Sequence, residues 1–215
     1  MNVLAINGTY RKGRTIDTLV AETLRGVWNI EPGAAIETIR LTERHIEYCR
    51  GCLVCHGDDP AKPMADCTIR DDMDAIRQKL YEADGYVFAT PMYDASVTAV
   101  MKCFLERMSW VMARPGHRPF KGCPEPRNPR PKAAVFITST GKVPNWAARL
   151  FCNVNRAFKN TVPCMLGAPI VGSLYACNVG MKPHSRPDAH LPKAFELGRT
   201  LARRLQRLRP CGPPP

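Results

Sequence analysis

The stretch Val3–Thr15 reads VLAINGTYRKGRT and indicates how the chain folds. Its first part, Val3–Ile6, is a continuous apolar run, which is typical of a strand buried on both faces. The next part, Asn7–Arg14, contains two glycines, and apolar residues then recur at spacings of three and four from Ile16 to Val27, as in an amphipathic helix. A buried strand, a glycine-containing turn and a helix in this order predict one unit of a parallel sheet.

The same alternation of strand and helix signals continues to the end of the chain. Further strands are predicted at residues 35–41, 86–90, 133–137 and 168–172, and further helices at residues 71–80, 97–111, 146–158 and 191–208. We therefore expect the α/β class, with an open five-stranded parallel sheet and helices on both faces. Because ligands of such sheets bind outside the carboxyl ends of the strands, a site is expected among residues 7–16, 42–68, 91–95 and 138–146.

The composition is that of an ordinary folded protein. Hydrophobic residues make up 45% of the 215 residues and charged residues 23%, which excludes a disordered chain, a collagen and a coiled coil. No apolar run approaches the roughly 20 residues of a membrane span, and the apolar start Met1–Ile6 is too short for a signal peptide, so we expect a cytoplasmic protein without a membrane partner. One domain is predicted over residues 1–209, with a proline-rich basic excursion at 114–132 and a loose tail at 210–215.

The chain is strongly basic. It carries 31 Lys and Arg residues against 19 Asp and Glu residues, a net charge of +12. A solvated basic surface is the simplest interpretation, and attraction of an acidic protein partner is a functional one. No helix-turn-helix, zinc-finger or aromatic ribonucleoprotein motif accompanies the charge, so no specific nucleic-acid partner is expected.

The loop Gly8–Thr15 has the properties of a phosphate site. Backbone N–H groups and a helix dipole converge there, the threonines can donate hydroxyl hydrogen bonds, and Arg11 and Arg14 can donate charge-assisted ones. The pattern differs by one residue from the nucleotide P-loop, because Arg14 stands where that motif has lysine. We predict a phosphate site without magnesium, with a nucleotide-hydrolysing loop and a simple connecting turn as the alternatives.

A second motif, Thr90–Asp94, follows the third predicted strand. An aromatic residue at the carboxyl end of a parallel strand, here Tyr93, can flank a flat ring. Pro91 fixes the turn and leaves neighbouring backbone groups available to a ring edge. The alternative is that Tyr93 only anchors the loop.

Four of the ten cysteines form a cluster in the loop 47–68. Cys49, Cys52 and Cys55 form a C-x-x-C-x-x-C run, and Cys67 follows after eleven residues. Three thiolates in seven residues, with a remote fourth, can hold a four-iron cluster. Zinc is an alternative because it also accepts four thiolates, and a loop without metal is another.

Several motifs in this order resemble the NADPH-dependent FMN reductase family of flavodoxin-like proteins, and within it the iron–sulfur flavoproteins. Gly8–Gly13 resembles the phosphate loop of that family. Cys49–Cys55 together with Cys67–Met73 resembles its cysteine motif and the helix start that follows. Ala83–Tyr93 resembles its strand ending in Pro-x-Tyr, and Met101–Arg107 resembles its Lys-x-Phe-Leu-Asp-Arg helix.

The resemblance implies a flavodoxin-like fold and bound FMN. The residues implied for the FMN phosphate are Thr9, Arg11, Gly13, Thr15 and Ile16, and those for its ring are Pro91, Met92, Tyr93, Asp94, Ser139, Thr140 and Gly141. In the iron–sulfur flavoproteins the cysteine motif, here Cys49, Cys52, Cys55 and Cys67, holds a 4Fe-4S cluster. NAD(P)H as reductant, a redox partner such as a ferredoxin, and a homodimer or homotetramer are also implied.

The motifs, read with the family resemblance, imply an FMN-dependent redox protein that passes electrons between a four-iron cluster and FMN. No catalytic side chain is predicted, because in such proteins the cofactors carry the chemistry and the protein supplies position and electrostatics. One alternative is a cluster-free NAD(P)H-dependent FMN or quinone reductase. Another, from a different class, is a degenerate nucleotide- or nucleic-acid-binding module.

Overall fold

A five-stranded sheet forms the centre of the computed structural model, which describes residues 1–57, 59, 61–116, 124–179 and 187–209. The strands of this sheet are β1 (Asn2–Asn7), β2 (Ala35–Arg40), β3 (Gly85–Pro91), β6 (Ala133–Gly141) and β7 (Ile170–Cys177); β4 (Ala113–Arg114) and β5 (Glu125–Pro126) form a separate short pair. The spatial order is β2-β1-β3-β6-β7, and every neighbouring pair is parallel. The predicted flavodoxin-like α/β sheet is therefore confirmed.

Helices cover both faces of the sheet. They are α1 (Thr15–Ile30), α2 (Met73–Glu82), α3 (Ala99–Met112), α4 (Asn145–Phe151), α5 (Val154–Leu166) and α6 (Leu191–Leu208). Apolar residues of α1 and α6 pack on one face, and those of α2, α3 and α5 pack on the other. All seven residues of β3 are buried between the two layers, which explains why this central strand is a continuous apolar run rather than an alternating one. Within the described residues, every helix is too short or too polar to cross a bilayer.

Two predicted elements were wrong in their bounds. The single helix predicted at 146–158 is two helices, α4 and α5, because the amide of Asn153 donates to the carbonyl of Ala95 at 2.7 Å instead of continuing the helix. The strand predicted at 168–172 runs from Ile170 to Cys177. Gly167 ends α5 at φ +64°, and the chain needs Ala168 and Pro169 to reach the sheet.

The proline-rich segment 114–132 returns to the sheet through buried polar contacts that the sequence did not reveal. Lys132 is almost fully buried, and its Nζ donates to the carbonyls of Tyr81 and Ala83 at the end of α2. The amide of Asn128 donates to the same Tyr81 carbonyl at 2.7 Å. Burial lowers the pKa of Lys132 to about 8. Residues 117–123 of this segment, and the tail predicted to be loose at 210–215, lie outside the described residues.

A buried ion pair joins the start of α2 to α3. Arg107 contacts both oxygens of Asp71, at 2.6 and 3.1 Å, and the two side chains are 1% and 0% exposed. Asp71 also accepts the backbone amides of Glu47 and Met73, each at 2.9 Å. Burial alone would raise the pKa of Asp71, but these hydrogen bonds lower the pKa below its usual value. The pair fixes the end of the cysteine loop, which enters α2 at this point.

We predict that Asp71→Asn lowers the free energy of unfolding by about 3–5 kcal/mol, because it leaves the Arg107 charge buried without a partner. Since the folded-state pKa of Asp71 is lowered, its stabilisation is present above the unfolded-state pKa and is lost as the pH falls through the folded-state value. Urea unfolding from pH 7 down to pH 2.5 should therefore show a shallower acid limb in the variant. Glu106→Gln is the control, since Glu106 and its partner Lys102 are 47% and 62% exposed and its loss should cost less than about 1 kcal/mol. Equal losses at the two positions would contradict the prediction.

Candidate functional site

A cleft of about 190 Å³ opens at the carboxyl ends of β1, β3 and β6. It brings together nine of the twelve residues predicted for FMN: Thr9, Arg11, Thr15, Ile16, Pro91, Met92, Tyr93, Ser139 and Gly141. Gly13, Asp94 and Thr140 do not line it. Arg14 and Val179 line the cleft as well. Arg14 was expected near a phosphate from the loop pattern, but Val179 carries no signal in the sequence, since it follows the last strand in an unremarkable stretch.

The loop after β1 is held by side-chain hydrogen bonds within it. Asn7 Nδ2 donates to Asp17 Oδ1 at 2.7 Å, and the Thr9 amide donates to Asn7 Oδ1 at 3.0 Å. Asp17 also accepts the Gly13 amide and pairs with Arg40 at 2.5 Å. Gly13 has φ +70°, a conformation that favours glycine, so its contribution is the shape of the loop rather than a group in the cleft.

The first turn of α1 faces the cleft without a side-chain cap. Arg14 precedes the helix in an extended conformation and makes no side-chain capping hydrogen bond. Thr15 and Ile16, the first residues of the helix, line the cleft together with Arg11 and Arg14. N–H groups of a first helical turn need acceptors, and the helix dipole favours a negative charge there. This end of the cleft is therefore suited to an anion such as a phosphate.

Helix α3 packs tightly against the same loop. The Gly8 amide donates to the carbonyl of Ala89 at 2.8 Å, and Thr98 Oγ1 donates to the carbonyl of Gly8 at 2.8 Å. A Cβ on Gly8 would lie 3.0 Å from Thr98 Oγ1 and from Met101 Cβ, which is tighter than ordinary contact. Thr98 also bonds to the hydroxyl of Thr90 at 3.1 Å. Sequence reasoning missed Thr98, although a threonine directly before a helix is a common polar start signal.

A tight turn presents Tyr93 at the rim of the cleft. Tyr93 and Ser96 exchange two backbone hydrogen bonds, at 3.0 and 2.9 Å, around Asp94 and Ala95. Both turn residues are in the left-handed region, at φ +49° and +55°, and such strain in non-glycine residues is often found at functional sites. The Tyr93 ring stacks on Tyr10 with the centroids 5.9 Å apart, and both rings are nearly half exposed. Asp94 lies on the turn rather than in the cleft.

The loop after β6 forms the third wall. The Met92 amide donates to the carbonyl of Ser139 at 2.8 Å, which joins this loop to the end of β3. The hydroxyl of Thr140 is buried and donates to the carbonyl of Val143 at 2.7 Å. It therefore stabilises the turn and is not available in the cleft. Gly141 accepts the Asn178 amide at 2.6 Å, which holds the end of β7 against this wall.

The four predicted metal ligands lie on one loop beside α3. Cys49 and Cys52 are exposed, and Cys55 and Cys67 are partly buried. Burial raises the pKa of Cys55, and electrostatic interactions with Cys49, Cys67 and Cys52 raise it further. A hydrogen bond with Thr68 lowers the pKa of Cys52. Among the described residues, the side-chain positions include no group of three His, Cys, Asp or Glu residues at metal-binding geometry.

The cysteine loop is attached along its length to the rest of the fold. Ala65 donates its amide to the carbonyl of Val111 at 3.0 Å, and Arg127 Nη2 donates to the carbonyl of Gly57 at 2.8 Å. The rings of His56 and Trp110 lie 4.4 Å apart. The contacts of Val111 and Trp110 hold the loop against α3, the helix that also packs on the cleft, and Arg127 holds it to the segment after β5.

The family model and the curated relatives identify the type of protein. The family model described as NADPH-dependent FMN reductase matches residues 1–143. An iron–sulfur flavoprotein from Archaeoglobus fulgidus is 30% identical over 203 residues, which cover 94% of this chain and 79% of that protein. An iron–sulfur flavoprotein from Methanocaldococcus jannaschii is 34% identical over 107 residues, about half of each chain (50% and 51%).

Solved structures share the fold at lower identity. A flavone reductase superposes with a TM-score of 0.68 at 19% identity, covering 99% of this chain and 65% of that one. An NAD(P)H:quinone oxidoreductase from Methanothermobacter marburgensis superposes with a TM-score of 0.67 at 14% identity, covering 93% and 98%. The fold, the cleft at the strand ends and the family match agree, and the chain belongs to the NADPH-dependent FMN reductase family.

Proposed function

We propose that this flavin-dependent oxidoreductase binds FMN in the cleft, carries a 4Fe-4S cluster on the cysteine loop and passes electrons between the two. The observation that carries the proposal is the make-up of the cleft. An uncapped helix N-terminus with Arg11 and Arg14 lies at one end, and the aromatic turn at Tyr93 lies at the other. A ligand that carries both an anionic phosphate and a flat ring matches these two ends, with the phosphate at the arginines and the ring at Tyr93.

The phosphate of FMN is assigned to the loop and the first turn of α1. Thr9, Arg11, Thr15 and Ile16 line this end, and Gly13 supplies the backbone shape that lets the loop close. Charge-assisted hydrogen bonds from arginine to phosphate are among the stronger polar contacts in proteins.

The flavin ring is assigned to the end of the cleft formed by the Tyr93 turn and the loop after β6. Small-molecule sites usually measure about 300–1,000 Å³, so a cleft of about 190 Å³ leaves part of FMN outside it. Pro91, Met92, Tyr93, Ser139 and Gly141 form this end, with Asp94 and Thr140 shaping the two turns. A ring at the rim remains accessible to an electron donor such as NAD(P)H.

The cysteine loop is assigned to the cluster, with Cys49, Cys52, Cys55 and Cys67 as ligands. Soft thiolates are the usual ligands of iron–sulfur clusters, and three of the four lie within seven residues of exposed chain that can wrap one cluster. When bound, the cluster exchanges one electron at a time and FMN exchanges one or two. The chain holds the two cofactors and sets their surroundings, and we assign no side chain a proton-transfer role.

We propose an acidic redox protein such as a ferredoxin as the partner, in the cytoplasm. The segment 126–187 contains nine Lys and Arg residues and no Asp or Glu. Five of the nine are exposed in the part of the chain that the structure describes: Arg130, Lys142, Arg149, Arg156 and Lys159. Within it, α4 exposes Trp146, Leu150 and Phe151 beside Arg149. A basic surface with an apolar centre attracts and then packs against an acidic partner. A homodimer or homotetramer is proposed for the chain itself.

A cluster-free NAD(P)H-dependent FMN or quinone reductase is the second candidate. The cleft that it requires is the same one, and solved structures with this fold include an NAD(P)H:quinone oxidoreductase. The two candidates differ only in whether the cysteine loop carries iron. A binding module of another class would not require the aromatic residues Tyr10 and Tyr93 at the rim of the cleft, and it would bind no flavin.

We predict that Arg11→Ala weakens FMN binding by about 1.5–3 kcal/mol, roughly a 10-fold to 150-fold rise in Kd, because a charged hydrogen bond to the phosphate is lost. The adjacent Lys12→Ala is the control, since Lys12 pairs with Glu43 at 2.7 Å and does not line the cleft. Titration of the FMN-free protein followed by flavin fluorescence measures both values. An Arg11 variant with the affinity of the Lys12 variant would contradict the phosphate assignment.

We predict that Cys67→Ser removes most of the iron while FMN stays bound, because one of four cluster ligands is lost and the cleft is untouched. Cys177→Ser is the matched control, since Cys177 is also a partly buried free thiol and stands outside the motif. Iron and FMN are counted on the same samples, purified without oxygen. Unchanged iron in Cys67→Ser would contradict the prediction, and Cys67→Ala, which offers iron no ligand atom, would then decide whether Cys67 is a ligand.

A further inference from the structure

Arg107 is a buried side chain of α3 that contacts Cys67, the cysteine that is distant in sequence from the other three. Its Nη1 donates to the carbonyl of Glu47 and to Asp71 Oδ2, each at 2.6 Å. Its Nη2 donates to Asp71 Oδ1 at 3.1 Å and to Cys67 Sγ at 3.9 Å. One guanidinium therefore contacts the first residue of the cysteine loop, the start of α2 and the last cysteine.

The spacing of the cysteines explains why such a contact is needed. Cys49, Cys52 and Cys55 are placed by a short run of chain, but eleven residues separate Cys55 from Cys67. A segment of that length does not by itself hold the fourth thiol near the other three, because each added residue brings conformational freedom. Within this segment the backbone contacts of Gly57 and Ala65 attach the chain but do not reach the Cys67 thiol, and the ion pair of Lys62 with Asp66 is exposed and contributes little. Arg107, by contrast, is buried and anchored by both oxygens of Asp71.

The chemistry of the contact goes beyond holding the chain in place. Asp71 compensates the charge of Arg107. The guanidinium therefore acts on Cys67 as a rigid N–H donor rather than as an unpaired cation. Hydrogen bonds to ligand sulfurs stabilise the more negative, reduced state of an iron–sulfur cluster and so raise its reduction potential. The buried Nε of Arg107 has no hydrogen-bond partner among the described residues, which leaves the guanidinium capacity for one further acceptor.

We propose that Arg107 is a positioning residue for the cluster: it fixes Cys67 as the fourth ligand, and its N–H to Cys67 Sγ raises the reduction potential of the cluster. The inference rests on the proposed function, in which Cys67 is a cluster ligand. Under this proposal, a residue of α3 tunes the reduction potential of the cluster. The same helix packs on the cleft proposed for FMN, so it connects that cleft to the loop proposed to carry the iron.

The test is the Arg107→Lys variant, purified without oxygen beside the wild type. Lysine keeps a positive charge that can pair with Asp71, but its single nitrogen cannot contact Asp71 and Cys67 together as the two terminal nitrogens of arginine do. We expect a more negative cluster midpoint potential, by a tenfold or larger change in the one-electron equilibrium, which is about 59 mV. The FMN potential, measured in the same titration, should stay unchanged. Arg77→Lys is the matched control, since Arg77 is also a buried arginine paired with an aspartate, Asp74, and contacts no cysteine.

Each result decides the proposal. A lowered cluster potential, or loss of iron in Arg107→Lys with iron retained in Arg77→Lys, supports it. An unchanged cluster potential with full iron overturns it and leaves the proposed function intact. A wild-type protein without iron overturns the proposed function first, before any variant is compared. If Arg107→Lys does not fold, the double variant Asp71→Asn/Arg107→Gln removes both buried charges together, and the same readouts apply.

Discussion

Parallel pairing of β1, β3 and β6 is the constraint on which the site depends. The register aligns Asn7 with Ala89 and Pro91 with Ser139, so the three strands end at one edge and their loops meet there. Most of the cleft follows from that edge: the loop that leads into α1, the Tyr93 turn and the loop after β6 all begin where a buried strand ends. A slip of one residue in this register would move each side chain of the shifted strand to the opposite face of the sheet, and it would displace the loops from one another.

The cysteine loop depends on a different interaction, because Cys67 follows the end of β2, the strand that precedes it in the chain, by 27 residues. Its position follows from the buried pair of Asp71 and Arg107 and from the contacts that attach the loop to α3. The same helix packs its Thr98 and Met101 against Gly8. One helix thus supports both the loop proposed for the iron and the cleft proposed for FMN, which places the two proposed cofactors on a shared rigid element.

Much of this arrangement was predictable from the sequence, and the rest was not for physical reasons. Apolar runs such as Val3–Ile6 mark strands because burial on both faces leaves no alternation, and loops that follow such strands mark the cleft. Thr140 and Gly13 were expected in the cleft, but the hydroxyl of Thr140 and the amide of Gly13 form hydrogen bonds inside their own turns, which depends on backbone conformation. The break between α4 and α5 and the contact of Arg107 with Cys67 arise from partners 58 and 40 residues away in the chain, and no local pattern carries such information.

The central claim is that one chain holds FMN and a four-iron cluster together. The most direct measurement is the visible absorption spectrum of protein purified without oxygen, with iron and FMN counted on the same sample. The account predicts flavin bands on a broad iron–sulfur absorption, with one FMN and about four irons per chain. Flavin bands without iron would contradict the cluster, and a colourless protein that does not take up added FMN would contradict the account as a whole.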